Sequence, residues 1–260
     1  MKEFIKKYKY NPLILFLIIT FLLPFLSLWL QIWINHYSAK FVLYGIEAAS
    51  PTIAVIMILY ITDSINSIYK RRSIRKFQEK DLPIELLNKI LDAGRVAPSA
   101  KNRQPWNYIV FENKYKEELL QVMEDGLQRE EKGITDLPKS QYGILDAKNT
   151  LRIMKEAPII IVVINSNAKS PFLPVDNDER VAEICDSLSI GASIENLLLA
   201  AEELGLGTLW IADICFAYKE LAAYLNTEEQ LVGAIAIGYA NERPEQRPRK
   251  PLNKIVKYRL

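Results

Sequence analysis

An α+β domain preceded by a membrane-inserting helical hairpin is the fold this sequence predicts, and three observations predict it. From Tyr10 to Ala39 the chain carries no Lys, Arg, Asp or Glu. From Ser64 onward, helical and strand periodicities replace each other along the chain. Within that half, Ile159–Ile164 is a continuous β-branched run, the pattern of a central strand covered on both faces. With 260 residues, half of them hydrophobic, the chain can build one sizeable core plus an appendage. The expected division is 1–63 for the hairpin and 64–260 for the soluble domain.

The hairpin rests on length. Leu13–Ile34 is almost wholly Leu, Ile, Phe and Trp, and a spanning helix needs ~20 apolar residues. Pro24 falls inside it, which bilayer helices tolerate, and Trp29 and Trp33 suit an interfacial anchor. A second candidate, Phe41–Thr62, is interrupted by Gly45, Glu47 and Pro51; it either crosses the bilayer or lies in its interface. Lys2, Lys6, Lys7 and Lys9 precede the first span, Lys70, Arg71 and Arg72 follow the second, and the loop between holds Lys40. Two spans then place both basic flanks, and the soluble domain, on the cytoplasmic side. The alternatives are a cleaved signal peptide, against which the run is too long, and a buried helical hairpin.

In the second half, apolar residues at helical spacing predict a helix over Pro83–Arg95, with Pro83 at its start. A strand over Asn107–Glu112 and a helix over Tyr115–Leu127 follow. Next come a buried strand over Ala157–Asn165 and a long helix over Ser187–Leu206, ended by Gly205 and Gly207. Thr208–Ile211 reads as a short strand, Ala217–Leu225 as a helix and Gln230–Tyr239 as a second apolar strand. The tail from Asn241 is rich in Pro, Arg and Lys and is expected to wrap over a surface.

Composition excludes several chemistries. A net charge of +2 provides no global basic field for nucleic acid. Two cysteines, Cys185 and Cys215, make neither a disulfide framework nor a CxxC metal site. The single histidine, His36, lies at the end of the first apolar run, so no Ser–His or Cys–His triad and no poly-histidine zinc site can form in the soluble half. Any reaction is then carried by a cofactor, with no catalytic side chain and no metal assigned.

Four clusters can hold one. Arg71-Arg72-Ser73-Ile74-Arg75 offers guanidinium forks and a hydroxyl suited to phosphate, although a juxtamembrane basic flank has the same composition. Pro98-Ser99-Ala100-Lys101-Asn102-Arg103-Gln104-Pro105-Trp106 is a restrained loop whose amides could bond the edge of a heterocycle, or an ordinary polar turn. Gly205–Asp213 has small residues that allow a flat ring to approach, or that cap a helix before a core strand. Arg247-Pro248-Arg249-Lys250-Pro251 is a second basic group, or a solvated tail.

In this order and spacing, with Ser189–Asn196 between them, the clusters resemble the FMN-dependent nitroreductase family over roughly 68–258. The resemblance implies a nitroreductase-like fold with a central mixed sheet flanked by helices, in an interlocked homodimer with FMN at the interface. It implies that Arg71, Ser73 and Arg75, with Arg72 beside them, hold the phosphate and the pyrimidine side of the flavin. Pro98, Ser99, Asn102 and Gln104 would reach the flavin from the second subunit. Ala212 and Asp213 would lie against it near N5, and Arg249 and Lys250 would add phosphate contacts. Family members often carry Gly at the Ala212–Asp213 positions, so Asp213 adds a charge there.

The implied activity is ping-pong hydride transfer from NADH or NADPH through FMN to a nitroaromatic, quinone or similar small electron-poor acceptor. Arg75 and Lys101 are candidates for stabilising negative charge on the ring, and Tyr142 and Phe172 for lining the pocket. The rival readings are a membrane-tethered FMN binder or sensor without turnover, and a specialised enzyme of the same fold, such as a reductive dehalogenase-like or flavin-modifying member. Glu47–Ala54 and Asn11-Pro12 resemble the start of membrane-embedded prenyl-protease-like proteins. That family's Glu-Glu-x-x-x-Arg is missing, which implies an anchor and not a protease.

Overall fold

The computed structural model describes residues 65–259, apart from 136, 138, 140 and 141. The chain divides into two units, Met1–Asn66 and Ser67–Leu260, and the second carries the fold. The helical hairpin, its two spans and the prenyl-protease-like stretch lie outside the described residues.

Among the described residues nine principal elements follow one another: α1 (Ile84–Arg95), β1 (Trp106–Glu112), α2 (Asn113–Glu131), α3 (Ile144–Glu156), β2 (Ile159–Lys169), α4 (Asn177–Glu203), β3 (Gly207–Ile211), α5 (Tyr218–Tyr224) and β4 (Glu229–Gly238). The strands lie in the order β1-β2-β4-β3, each pair antiparallel. The mixed sheet expected from sequence therefore shrinks to one parallel contact, a bridge between Ser73 and Thr208. Ile159–Ile164 pairs with both β1 and β4, with one register shift against β4 between Val163 and Ile164, and so β2 is the central strand.

Side chains of β2 alternate between two cores, as period-two geometry requires. Ile160, Val162 and Ile164 join Met123, Leu151 and Met154 of α2 and α3 on one face. Ile159, Ile161 and Val163 join Ile90, Ile190, Ile194 and Leu197 of α1 and α4 on the other. Both faces being covered is why residues 159–164 of this strand are apolar at every position. Among the described residues α4 alone has the length and hydropathy of a membrane span, yet Ile190, Ile194, Leu198 and Ala201 are buried against the sheet, so it is a core helix.

Two local devices set α4. Asp176 accepts from the Glu179 N–H at 2.8 Å while Glu179 accepts from the Asp176 N–H at 2.9 Å, a reciprocal cap that starts the helix ten residues before the expected Ser187. At the other end Gly205 adopts φ +75°. Its N–H donates to Glu202 O at 3.0 Å, and that of Leu206 to Ala201 O at 2.8 Å, the paired bonds of a Schellman stop. Helix α1 packs on α4 through Gly94, where an added Cβ would lie 2.8 Å from both Leu197 Cγ and Tyr108 Oη. Ser193, fully buried there, donates to Gly94 O at 2.8 Å and shares a short hydrogen bond with the Tyr108 hydroxyl.

Candidate cofactor site

The first basic cluster is stitched to the sheet by backbone. Ser73 bridges Thr208 at the start of β3, and the Ile74 N–H donates to Thr208 O at 2.9 Å. A Cβ on Gly207 would lie 2.8 Å from Ile74 Cγ1, so Gly207 makes room for that buried side chain. The small residues expected to admit a flat ring thus have other tasks here: Gly205 stops a helix and Gly207 seats Ile74.

The same segment carries the C-terminal cluster. Phe77 bridges Ala240, the Gln78 N–H donates to Tyr239 O at 2.9 Å, and the Asn241 N–H to Lys76 O at 2.9 Å. The chain leaves β4 along residues 76–78 and brings Arg247 and Arg249 to Arg71–Arg75. Around a cavity of about 430 Å³ stand Arg71, Arg72, Ser73, Arg75, Arg247 and Arg249, with Ile68, Tyr69, Glu195 and Glu245. Five arginines against two glutamates make an anion site, and the forked donors suit phosphate.

The five are not equivalent. Arg71 is bound to Glu195 of α4 at 3.2 Å. Arg72 donates to the carbonyls of Tyr69, Lys70 and Arg71 at 2.7–2.9 Å, where the helix over residues 65–70 ends. Arg75 donates to Ser73 O at 3.1 Å, and Arg249 to Arg247 O at 3.1 Å; neither guanidinium has a carboxylate partner among the described residues. The backbone N–H of Arg75 is taken by a short bond to Glu242. Lys250 is exposed and does not line the cavity.

An adjoining cavity of about 370 Å³ sets Lys70, Arg72 and Arg243 against Glu202, Glu242 and Glu245. Burial raises the Glu202 carboxyl above the usual range, against the pull of Lys70, Arg72, Arg71 and Arg243.

Pro98, Ser99, Asn102 and Gln104 stand elsewhere within the chain. Their loop docks on α4 at Ser189, whose Oγ accepts from the Ala100 N–H at 3.1 Å. Arg71 meets the same helix at Glu195, about 9 Å further along and about 120° round. Lys101, Asn102 and Gln104 have φ of 54°, 55° and 47°, a left-handed run rare for residues with a Cβ. Gln104 Nε2 donates to Asn102 Oδ1 at 3.2 Å, and both side chains face solvent.

Ala212 and Asp213 lie at the end of β3 opposite Thr208. Ala212 is exposed, and the Asp213 carboxylate accepts from Thr150 Oγ1 at 2.5 Å, so its charge is directed to α3. Burial, then the charge of Asp213, pushes the Cys215 thiol up. Of the two expected pocket residues, Tyr142 is exposed and Phe172 packs edge-on against Tyr218 at 5.3 Å; neither lines the arginine cavity. Glu195 and Arg247 were not singled out from sequence as site residues. Both lie in stretches that carry the family resemblance, Arg247 in the C-terminal basic cluster and Glu195 in Ser189–Asn196, but Glu195 meets Arg71 only through the fold.

The nitroreductase family model matches residues 68–239. Over 191 residues the chain is 30% identical to a Methanothermobacter thermautotrophicus protein assigned as a NADH dehydrogenase/NAD(P)H nitroreductase, covering 71% of this chain and 81% of that protein. It is 28% identical over 192 residues to the iodotyrosine deiodinase of Thermotoga neapolitana, covering 72% and 92%. A Desulfovibrio desulfuricans protein assigned as a nitroreductase, solved in complex with FMN, superposes with a TM-score of 0.56 at 25% identity, covering 76% and 96%. This chain belongs to the nitroreductase family.

Proposed function

We propose that the chain is an FMN-dependent NAD(P)H oxidoreductase that reduces nitroaromatic, quinone or similar electron-poor acceptors. One observation carries the reading: two basic clusters some 170 residues apart in sequence converge, with Ser73, on one cavity. Their donors fit the phosphate of FMN, the cofactor named for a solved relative. When bound, FMN supplies a hydride acceptor and donor. Arg71, Arg75 and Arg249 hold the phosphate, and Ser73 offers its hydroxyl beside them. Ala212 and Asp213 present backbone at the far end of β3. Lys101 brings a positive charge on the 98–104 loop. No side chain is assigned as a general acid or base; the proton that accompanies hydride to a quinone or nitro group would come from solvent.

A second copy completes the site in this reading. Val181, Ile184 and Leu188 form an exposed apolar stripe on α4, and Leu252, Ile255 and Tyr258 are exposed along the tail. A homodimer would cover them and bring the 98–104 loop of one subunit to the arginine cavity of the other. The apolar N-terminal sequence would anchor the chain with this domain on the cytoplasmic side. Light scattering of the detergent-solubilised protein and extraction of membranes with alkaline carbonate test these two points.

The iodotyrosine deiodinase relative favours a second reading, reductive dehalogenation of an aromatic substrate at the same site. Steady-state assays with NADH or NADPH against a nitroaromatic, a quinone and an iodophenol separate the cases. Turnover of the first two supports the main reading, and turnover of the iodophenol alone transfers it to the second. Bound FMN with no turnover of any acceptor would leave a non-catalytic binder.

A further inference from the structure

We propose that Arg103 and Asp186 form a latch that fixes the 98–104 loop, with Asp186 a positioning residue for Asn102 and Gln104. What those amides are presented to rests on the cofactor reading above; the latch itself does not.

The loop needs an external restraint. Lys101, Asn102 and Gln104 all adopt left-handed backbone, which Asn tolerates and Lys and Gln resist. The bonds from the Asn102 N–H to Ser99 O and from the Gln104 N–H to Ser99 Oγ, both 3.0 Å, close the loop on itself without tying it to the domain. Arg103 ties it. Its Nη2 donates to Asp186 Oδ1 at 2.6 Å and to Ala182 O at 3.2 Å, gripping one turn of α4.

Asp186 is the less expected partner. Its side chain is 2% exposed, whereas that of Arg103 is 34% exposed. A carboxylate taken out of water is costly unless a cation answers it. Among the described residues the other Asp186 oxygen meets only Asn167 Nδ2, at 3.5 Å, so Arg103 supplies most of the compensation. An apolar residue would fill that position on α4 more cheaply; a buried charge there buys a defined place for residue 103. The residues on either side of it then project outward, their amides joined to each other and exposed. Both bonds leave one guanidinium nitrogen, Nη2, so a Lys ammonium, shorter and without the planar guanidinium, would replace them only in part.

The test uses the full chain in detergent. In the double variant Arg103→Gln with Asp186→Asn, which leaves no lone buried charge, melting stays near wild type. Hydrogen exchange of the 100–104 amides speeds up, and FMN affinity, read by flavin fluorescence quenching, falls about tenfold. Arg103→Lys lies between. Unchanged exchange in the loop would overturn the latch. Faster exchange with unchanged FMN affinity would overturn the positioning role. If wild-type protein binds no FMN, the cofactor reading and the loop's role fall together, while the exchange measurement still decides the latch.

Discussion

Removing Arg75 should weaken FMN and spare riboflavin. The Arg75 guanidinium donates to Ser73 O and has no carboxylate partner among the described residues, so its charge is available to an anion in the cavity. A charge-assisted hydrogen bond of this kind contributes about 1.5–3 kcal/mol. At about 1.4 kcal/mol per factor of ten, Arg75→Ala raises the FMN Kd about tenfold to a hundredfold. Arg249→Ala belongs at the lower end, because Arg249 is more exposed and water screens it. Arg71→Ala costs less than its proximity suggests, since Glu195 already answers part of its charge. Riboflavin lacks the phosphate, so the three variants should bind it as wild type does. Fluorescence titrations of both ligands against each variant measure the difference. Equal losses for FMN and riboflavin, or no loss for Arg75→Ala, would refute the assignment of the cavity to phosphate.

Gly94→Ala places a methyl 2.8 Å from Leu197 Cγ and Tyr108 Oη. It should cost about 1–3 kcal/mol, read as a lower denaturation midpoint; an unchanged midpoint means α1 and α4 pack less closely. Gly205→Ala forces a side chain onto φ +75° and should cost about 1 kcal/mol, with no change in FMN affinity. Stability should fall as pH rises above about 9. Burial raises the Cys215 thiol above its usual 9.0, and Tyr108 and Tyr218 above 10.0. The folded state therefore holds protons that the unfolded chain releases, so the stabilisation is full below those ordinary values and is lost above them. Melting curves between pH 8 and pH 11 that stay flat would contradict the burial of these groups.

The regular elements were legible where one period dominated. The β-branched Ile159–Ile164 run became the central strand because both faces are covered, and Pro83 and Gly205 marked helix ends through backbone preferences that act locally. Helix α3 was missed, although Ile144, Ala147, Leu151 and Met154 repeat at helical spacing; the polar residues between them masked the stripe. The early start of α4 was also readable, in the Asp176–Glu179 pair, although the expected helix began only at Ser187. Contacts between distant segments were not legible. Arg71 meets Glu195 across 124 positions and Arg103 meets Asp186 across 83, distances at which only the fold decides who is near whom. The four basic or polar clusters were found by residue type. Residue type alone did not group them; the family resemblance joined the first and the last as phosphate contacts, and arginines of both line one cavity, while the 98–104 loop docks on α4 and the Ala212–Asp213 turn follows β3.

The most direct measurement is an absorbance spectrum of the purified, detergent-solubilised protein, followed by anaerobic addition of NADH or NADPH and then of a quinone. The account predicts a flavin band that bleaches with a nicotinamide and returns with the acceptor. A flavin band indifferent to both nicotinamides, or no flavin bound after adding FMN, would contradict it.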